Sequence, residues 1–259
     1  MTRTITSRLA VLPAVLVMSL TLAACGSSGG AANSSSHREL TVYAASSLTG
    51  TFTDLGARFE KAHEGAKVVF NFGASSALAT SIVNGAPADV FSSAAPANMT
   101  TVVSAGDAKA PAAFAANTLE IAVPPGNPAH VASLADLARP GVKVALCDPA
   151  VPCGSVAAAV LGQAKLTVHP TSLDPDVKSA LAKVQLGEVD AALVYVTDVL
   201  AARAKVTGVP VPDAVNVATE YLIGVLTHAA RPDLAQQFVD LVRSAQGQRV
   251  LHDAGFSGP

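Results

Sequence analysis

From residue 40 to the C-terminus, short β-rich runs alternate with helix-patterned ones. That alternation restricts the chain to an α/β architecture with parallel sheets. Residues 40–45 read as a strand, and Leu48, Phe52, Leu55 and Phe59 follow at the spacing of an amphipathic helix. Residues 68–72 form the next strand candidate, Leu78 and Ile82 carry a helix that ends near Gly85, and residues 89–92 return to strand. Residues 119–123 are a strand stopped by Pro124-Pro125-Gly126, where the chain can leave one lobe for another. Beyond it, residues 142–146 and 191–196 are buried-strand runs separated by two helical stretches. Residues 221–227 are a late strand that can bring the chain back, and Leu234, Phe238, Leu241 and Val242 mark a final helix. No internal repeat is visible.

The N-terminus has a different character. Arg3 and Arg8 precede an apolar run over residues 9–22, and Leu22-Ala23-Ala24-Cys25 sets small residues directly against a cysteine. This layout resembles the lipobox of bacterial lipoproteins. It implies a signal peptide over residues 1–24 and an acylated Cys25 at the mature N-terminus. At about 0.8 kcal/mol per buried methylene, two or more chains give a stable anchor. The apolar run is short and broken by Pro13 and Ser19, which makes it a poor bilayer span. Residues 26–36 (GSSGGAANSSS) cannot bury a core, so residues 25–37 are expected to be a lipidated flexible tether. The expected location is extracytoplasmic, at the cell membrane.

The rest of the chain is rich in apolar residues and long enough for one large domain or two lobes. Charged residues make up only 14%, and 17 basic residues stand against 19 acidic ones. Losing Arg3 and Arg8 with the signal makes the mature chain more negative still. With no basic run, no tryptophan and 4% aromatics, nucleic acid is excluded as a partner. Cys147 and Cys153 are the two remaining cysteines. Export and their short separation predict a disulfide, against the alternative of two small buried thiols.

Small polar residues gather where strands hand over to helices. Ser46-Ser47 end one strand, Ser75-Ser76 stand behind Gly73-Ala74, and Val151-Pro152-Cys153-Gly154-Ser155 lead into a helical run. Asp174-Pro175-Asp176-Val177 open a fourth helix with Val177, Leu181 and Val184 on its apolar face and proline in its first turn. Such turns lie at the carboxyl ends of strands, where open α/β sheets bind ligands. A helix N-terminus offers unpaired N–H groups and about half a positive charge. Several aimed at one spot could hold a dianion without lysine or arginine. Taken singly, Ser47 or Ser75 also fits an ordinary N-cap, and Tyr195 an aromatic on a sheet.

The ordered set of segments resembles the molybdate-binding proteins of ABC transporters. Tyr43-Ala44-Ala45-Ser46-Ser47-Leu48 is similar to their F-A-A-A-S-L opening, and Phe72-Gly73-Ala74-Ser75-Ser76-Ala77-Leu78 to their F-x-S-S-S-x-L segment. Gly85-Ala86-Pro87-Ala88-Asp89-Val90-Phe91 matches G-A-P-A-D-L/V-F. Asp148-Pro149 with Val151-Pro152-Cys153-Gly154 resembles D-P…V-P-A-G, with cysteine for alanine, and Leu193-Val194-Tyr195 with Asp198 matches I/L-V-Y-x-x-D. The likeness runs through the terminal stretch at residues 247–256 and covers the whole mature domain.

The resemblance implies a type II periplasmic-binding-protein fold: two α/β lobes joined by two crossover strands, with the ligand in the cleft. Lobe I is expected at residues 38–121 plus 222–259 and lobe II at 122–221. Carried over position by position, the molybdate ligands are the hydroxyls and amides of Ser47 and Ser75, the amides of Cys153 and Val177, and the hydroxyl of Tyr195. Ser46 is a further possible contact. The implied ligand is molybdate or tungstate, with no cofactor, no cation site and no catalysis. The implied partners are a permease and an ATPase, and the protein is expected to be a monomer. Sulfate or another oxyanion is the alternative ligand. An exported serine hydrolase fits less well, because Gly73-Ala74-Ser75-Ser76-Ala77 falls one residue short of G-x-S-x-G and His130, His169, His228 and His252 are scattered. A cation receptor would need clustered histidines, and none are paired at ligand spacing.

Overall fold

A computed structural model describes residues 38–259. The signal peptide, the acylated Cys25 and the tether lie outside the described residues. The chain forms β1 (Arg38–Ala45), a 3₁₀ turn (Ser46–Leu48), α1 (Thr49–Ala62), β2 (Ala66–Gly73), α2 (Ser75–Val83), β3 (Val90–Ser93), α3 (Pro96–Ser104) and β4 (Ala112–Asn117). It then enters a second sheet as β5 (Leu119–Val123), followed by β6 (Val144–Cys147), α4 (Pro152–Gln163), β7 (Ser172–Asp174) and α5 (Val177–Gln185). β8 (Ala191–Tyr195), α6 (Val196–Ala202) and β9 (Thr207–Pro210) complete that lobe. β10 (Thr219–Val225) returns to the first sheet, and α7 (Pro232–Arg243) and α8 (Ala245–Asp253) cover it.

The two sheets are built alike. Their orders are β2-β1-β3-β10-β4 and β7-β6-β8-β5-β9, and in each the fourth strand runs against all the others. The reversed strands are β10 and β5, the two that arrive from the opposite lobe. The expectation of parallel sheets therefore holds for four strands of each sheet and needs correction for the remaining one. A strand entering without a crossover helix is free of the constraint that makes βαβ units parallel. The expected lobe boundaries at 121/122 and 221/222 fall inside β5 and β10. The chain changes sheet at Thr118 and again before Thr219, because each crossing strand pairs along its whole length with one sheet only.

Period-2 alternation in β1 sends Leu40, Val42 and Ala44 to one face and Tyr43 to the other. The first face packs on α1, α7 and α8 through Phe52, Phe59, Phe238 and Leu251, with Phe52 and Phe238 edge to face at 5.8 Å. Leu78, Ile82, Met99 and Val102 of α2 and α3 cover the other face. A third cluster fills the second lobe. The crossings are stitched together: Asn216 accepts from the Leu119 N–H at 3.1 Å and donates to the Leu119 carbonyl at 2.8 Å. Both sheets thus present the carboxyl ends of their parallel strands, β1 and β6, to the helix starts that follow.

Candidate functional site

One pocket between the sheets is lined by Ser46, Ser47, Ala74, Ser75, Ala94, Pro152, Cys153, Asp176, Val177 and Tyr195, among others. All five ligand positions expected from the sequence, and Ser46 beside them, meet there. The pocket is small, about 220 Å³ with its open mouth included.

Each donor is positioned by the start of a helix or turn. Ser47 lies in the 3₁₀ turn after β1, Ser75 is the first residue of α2, Cys153 the second of α4 and Val177 the first of α5. Among the described residues, no protein acceptor takes the N–H of any of these four, as helix geometry requires of a first turn. Neither serine is an N-cap, since Ala45 and Ala74 occupy those places. Pro175 precedes the α5 cap rather than sitting in its first turn, and Asp176 is the cap, accepting from the N–H groups of Lys178 and Ser179.

The serine hydroxyls are pre-oriented from behind. Ser75 Oγ accepts from the Ala94 N–H at 3.0 Å, and Ser47 Oγ lies 2.9 Å from the Tyr221 hydroxyl. With Tyr221 donating, each serine oxygen has one protein bond and its own hydrogen left to point into the pocket. Tyr221 and the Ala94 amide are functional groups that sequence reasoning missed. Tyr221 stands 174 residues from Ser47, so no local pattern could link them.

Tyr195 is 1% exposed and, among the described residues, its hydroxyl has no hydrogen-bond partner, although the Tyr221 hydroxyl lies near enough to influence it. Burial, reinforced by the neighbouring Tyr221 and Asp198, holds its phenol well above the ordinary value. Burial likewise raises Tyr221, against the pull of its bond to Ser47. Both phenols therefore remain protonated. Among the described residues, no lysine or arginine lines the pocket, and Asp176 is its only charged side chain. That carboxylate is an acceptor among donors, but its oxygens are engaged by the amides of Lys178 and Ser179 and the Ser179 hydroxyl.

Cys147 at the end of β6 and Cys153 in α4 are disulfide-bonded, with Cα atoms 5.8 Å apart. The bridge fastens the turn that presents the Cys153 amide. The same turn is tightened by the Val151 N–H donating to the Asp148 carbonyl at 3.0 Å and the Ala150 N–H donating to Asp148 Oδ1 at 2.8 Å. A small cleft of converging N–H and O–H donors, its one carboxylate already engaged, is built to hold a compact anion.

The model of the family described as bacterial extracellular solute-binding protein matches residues 40–257. The chain belongs to that family. This solute-binding protein is 42% identical over 243 residues to the molybdate-binding protein ModA of Mycobacterium tuberculosis, covering 92% of this chain and 93% of the relative. Among solved structures it resembles the periplasmic molybdate-binding protein of Azotobacter vinelandii, with a TM-score of 0.75, 24% identity, and 85% and 99% of the two chains covered. It also resembles the sulfate-binding protein SubI of Mycobacterium tuberculosis, with a TM-score of 0.78, 18% identity, and 86% and 87% covered. At such identities these two likenesses establish the shared fold.

Proposed function

We propose that this protein captures molybdate, or the similarly sized tungstate, outside the cytoplasm and delivers it to the permease and ATPase of an ABC importer. In this reading acyl chains on Cys25 tether it to the membrane, it acts as a monomer, and it catalyses no reaction and needs no cofactor. The ligand set is Ser47 and Ser75 through hydroxyl and amide, Cys153 and Val177 through their amides, and Tyr195 through its hydroxyl.

The observation that carries this reading is the Tyr195 hydroxyl, buried and without a protein partner in a pocket where four unpaired amides converge. An unsatisfied buried donor costs about 1–3 kcal/mol, which an accepting ligand would recover. A tetrahedral dianion has four oxygens that only accept. Phosphate near neutral pH carries a proton that would meet a donor here. Sulfate has the same charge and shape as molybdate but shorter bonds, so its oxygens would reach fewer donors at once. The 42% identical relative is named for molybdate binding, which supports the same choice. The fold alone does not make it, because a sulfate-binding protein shares it.

Calorimetric titration with molybdate, tungstate, sulfate and phosphate tests the reading. Submicromolar affinity is expected for the first two, since a handful of charge-assisted bonds at about 1.5–3 kcal/mol each outweighs association costs. Sulfate and phosphate should bind far more weakly. Sulfate binding as tightly as molybdate would transfer the assignment to the alternative ligand.

The raised phenol of Tyr195 sets a pH dependence. Losing its proton would turn a donor into an anion facing an anion, and this loss is deferred beyond the ordinary phenol value of about 10. Molybdate affinity should therefore hold flat from about pH 7 to about pH 9.5, where an unperturbed phenol would already be partly ionised. A decline toward the upper end of that range that follows the ionisation of an ordinary phenol would contradict a buried, protonated Tyr195.

A further inference from the structure

We infer that Lys178 and Asp198, neither of which lines the pocket, are positioning residues that hold the two donors of the second lobe, the Val177 amide and the Tyr195 hydroxyl, in register. The inference rests on the oxyanion reading of the pocket given above.

A continuous chain of bonds connects those donors. Val177 opens α5 and Lys178 follows it directly. Lys178 donates its N–H to the Asp176 cap at 2.7 Å and its Nζ to Asp198 Oδ1 at 2.7 Å. Asp198 sits in the first turn of α6 and accepts the Tyr195 N–H on Oδ2 at 3.3 Å. The start of α5 and the end of β8, which come from separate stretches of sequence, are thus tied through one ion pair at the level of the site. Without it, their relative placement would depend on apolar packing and on the less direct path through the β7-β6-β8 ladder.

Burial makes the pair informative. Asp198 is 0% exposed, and the Lys178 side chain is about a third exposed. Desolvation pushes the Asp198 carboxyl up, against the pull of Lys178. Buried ion pairs are often replaceable by apolar residues with no loss of stability, so stability alone does not account for one beside a binding pocket. Its charge bears on the ligand as well. Asp176 lines the pocket, and Asp198 lies close enough for the two carboxylates to repel. Among the described ion pairs, Lys178 is the cation that meets Asp198. It therefore aligns the donors and offsets a negative field that would otherwise repel a dianion.

The test is calorimetric titration of the folded full-length protein with sodium molybdate, comparing wild type with Lys178→Met, Lys178→Arg, Tyr195→Phe and the Lys178→Met/Tyr195→Phe double variant. Lys178→Met should weaken binding on the order of 10-fold, within the coupling seen between residues of one network. Lys178→Arg keeps the charge and the link to Asp198 and should recover most of that loss. Because Lys178 acts partly through Tyr195, the double variant should lose less than the product of the two single losses. A merely structural lysine would lower the unfolding temperature and leave these affinities and their coupling unmoved. Asp198→Asn is a harsher variant that risks misfolding, and Lys178→Met, with its partly exposed side chain, keeps the test decisive. Wild-type binding combined with an unchanged Lys178→Met affinity, or with strictly multiplicative losses, would overturn this inference alone. A wild-type protein that bound no molybdate would overturn the ligand reading and this inference together.

Discussion

Replacing Tyr195 by phenylalanine should raise the dissociation constant for molybdate on the order of 10- to 100-fold, the loss of one charge-assisted donor worth about 1.5–3 kcal/mol. The ring should stay in place, since it packs edge to face against Tyr221 at 6.2 Å and the side chain is fully enclosed. The ligand-free protein should respond in the opposite sense. Its Tyr195 hydroxyl is buried without a protein partner, so removing it should leave thermal stability unchanged or raise it by about 1 kcal/mol. Weaker binding by a protein that is no less stable would be the signature of a hydroxyl kept for its ligand. Ser75→Ala should differ. It removes a ligand donor and also orphans the Ala94 N–H, so affinity and stability should decline together. Calorimetry with molybdate and thermal unfolding without it separate these outcomes. An unaltered Tyr195→Phe affinity would remove Tyr195 from the site.

Gly154→Ala should be the most damaging small substitution in the second lobe. A Cβ at this position would run into the backbone carbonyl of Asp148 and crowd that of Cys147. Both obstacles are backbone, and both belong to a turn already held by the Cys147–Cys153 bridge and by hydrogen bonds to Asp148, so nothing flexible can yield. The first turn of α4 must then move away from β6, at the roughly 1–3 kcal/mol or more that overpacking costs. The Cys153 amide moves with it, and affinity for molybdate should decline at least about 10-fold alongside stability. The thermal midpoint and the calorimetric dissociation constant should both change. A variant with wild-type values for both would show that the turn can relax where its close packing indicates otherwise.

Much of the architecture was legible in the residues themselves. The 4, 3, 4 spacing of Leu48, Phe52, Leu55 and Phe59 encodes a helix that packs by that face alone, and it is α1. The β-rich runs near residues 40, 68, 119, 142 and 191 all became strands because their apolar residues had to be covered. The missed elements include α3, β7 and α6 as well as two strands with weak local signals. β4 is AAFAAN, with little side chain to advertise a strand, and β9 is TGVP, whose Gly and Pro suit only an edge. Both exist because a crossing strand, β10 or β5, offers them a backbone ladder.

For the site, the turns carrying Ser47, Ser75, Cys153 and Val177 could be found in sequence, because helix starts announce themselves through proline, glycine and small polar residues. What the serines do there could not. Sequence preference suggested N-caps, whereas the fold places each one residue or more inside its helix or turn and gives its oxygen a hydrogen-bond partner from another strand or loop. The reversal of β5 and β10, the tie from Lys178 through Asp198 to Tyr195, and the support of Ser47 by Tyr221 were likewise decided only in three dimensions. Local propensity acts over a few residues along the chain. The aim of a hydroxyl hydrogen depends on which partner the folded chain brings to the other side of its oxygen.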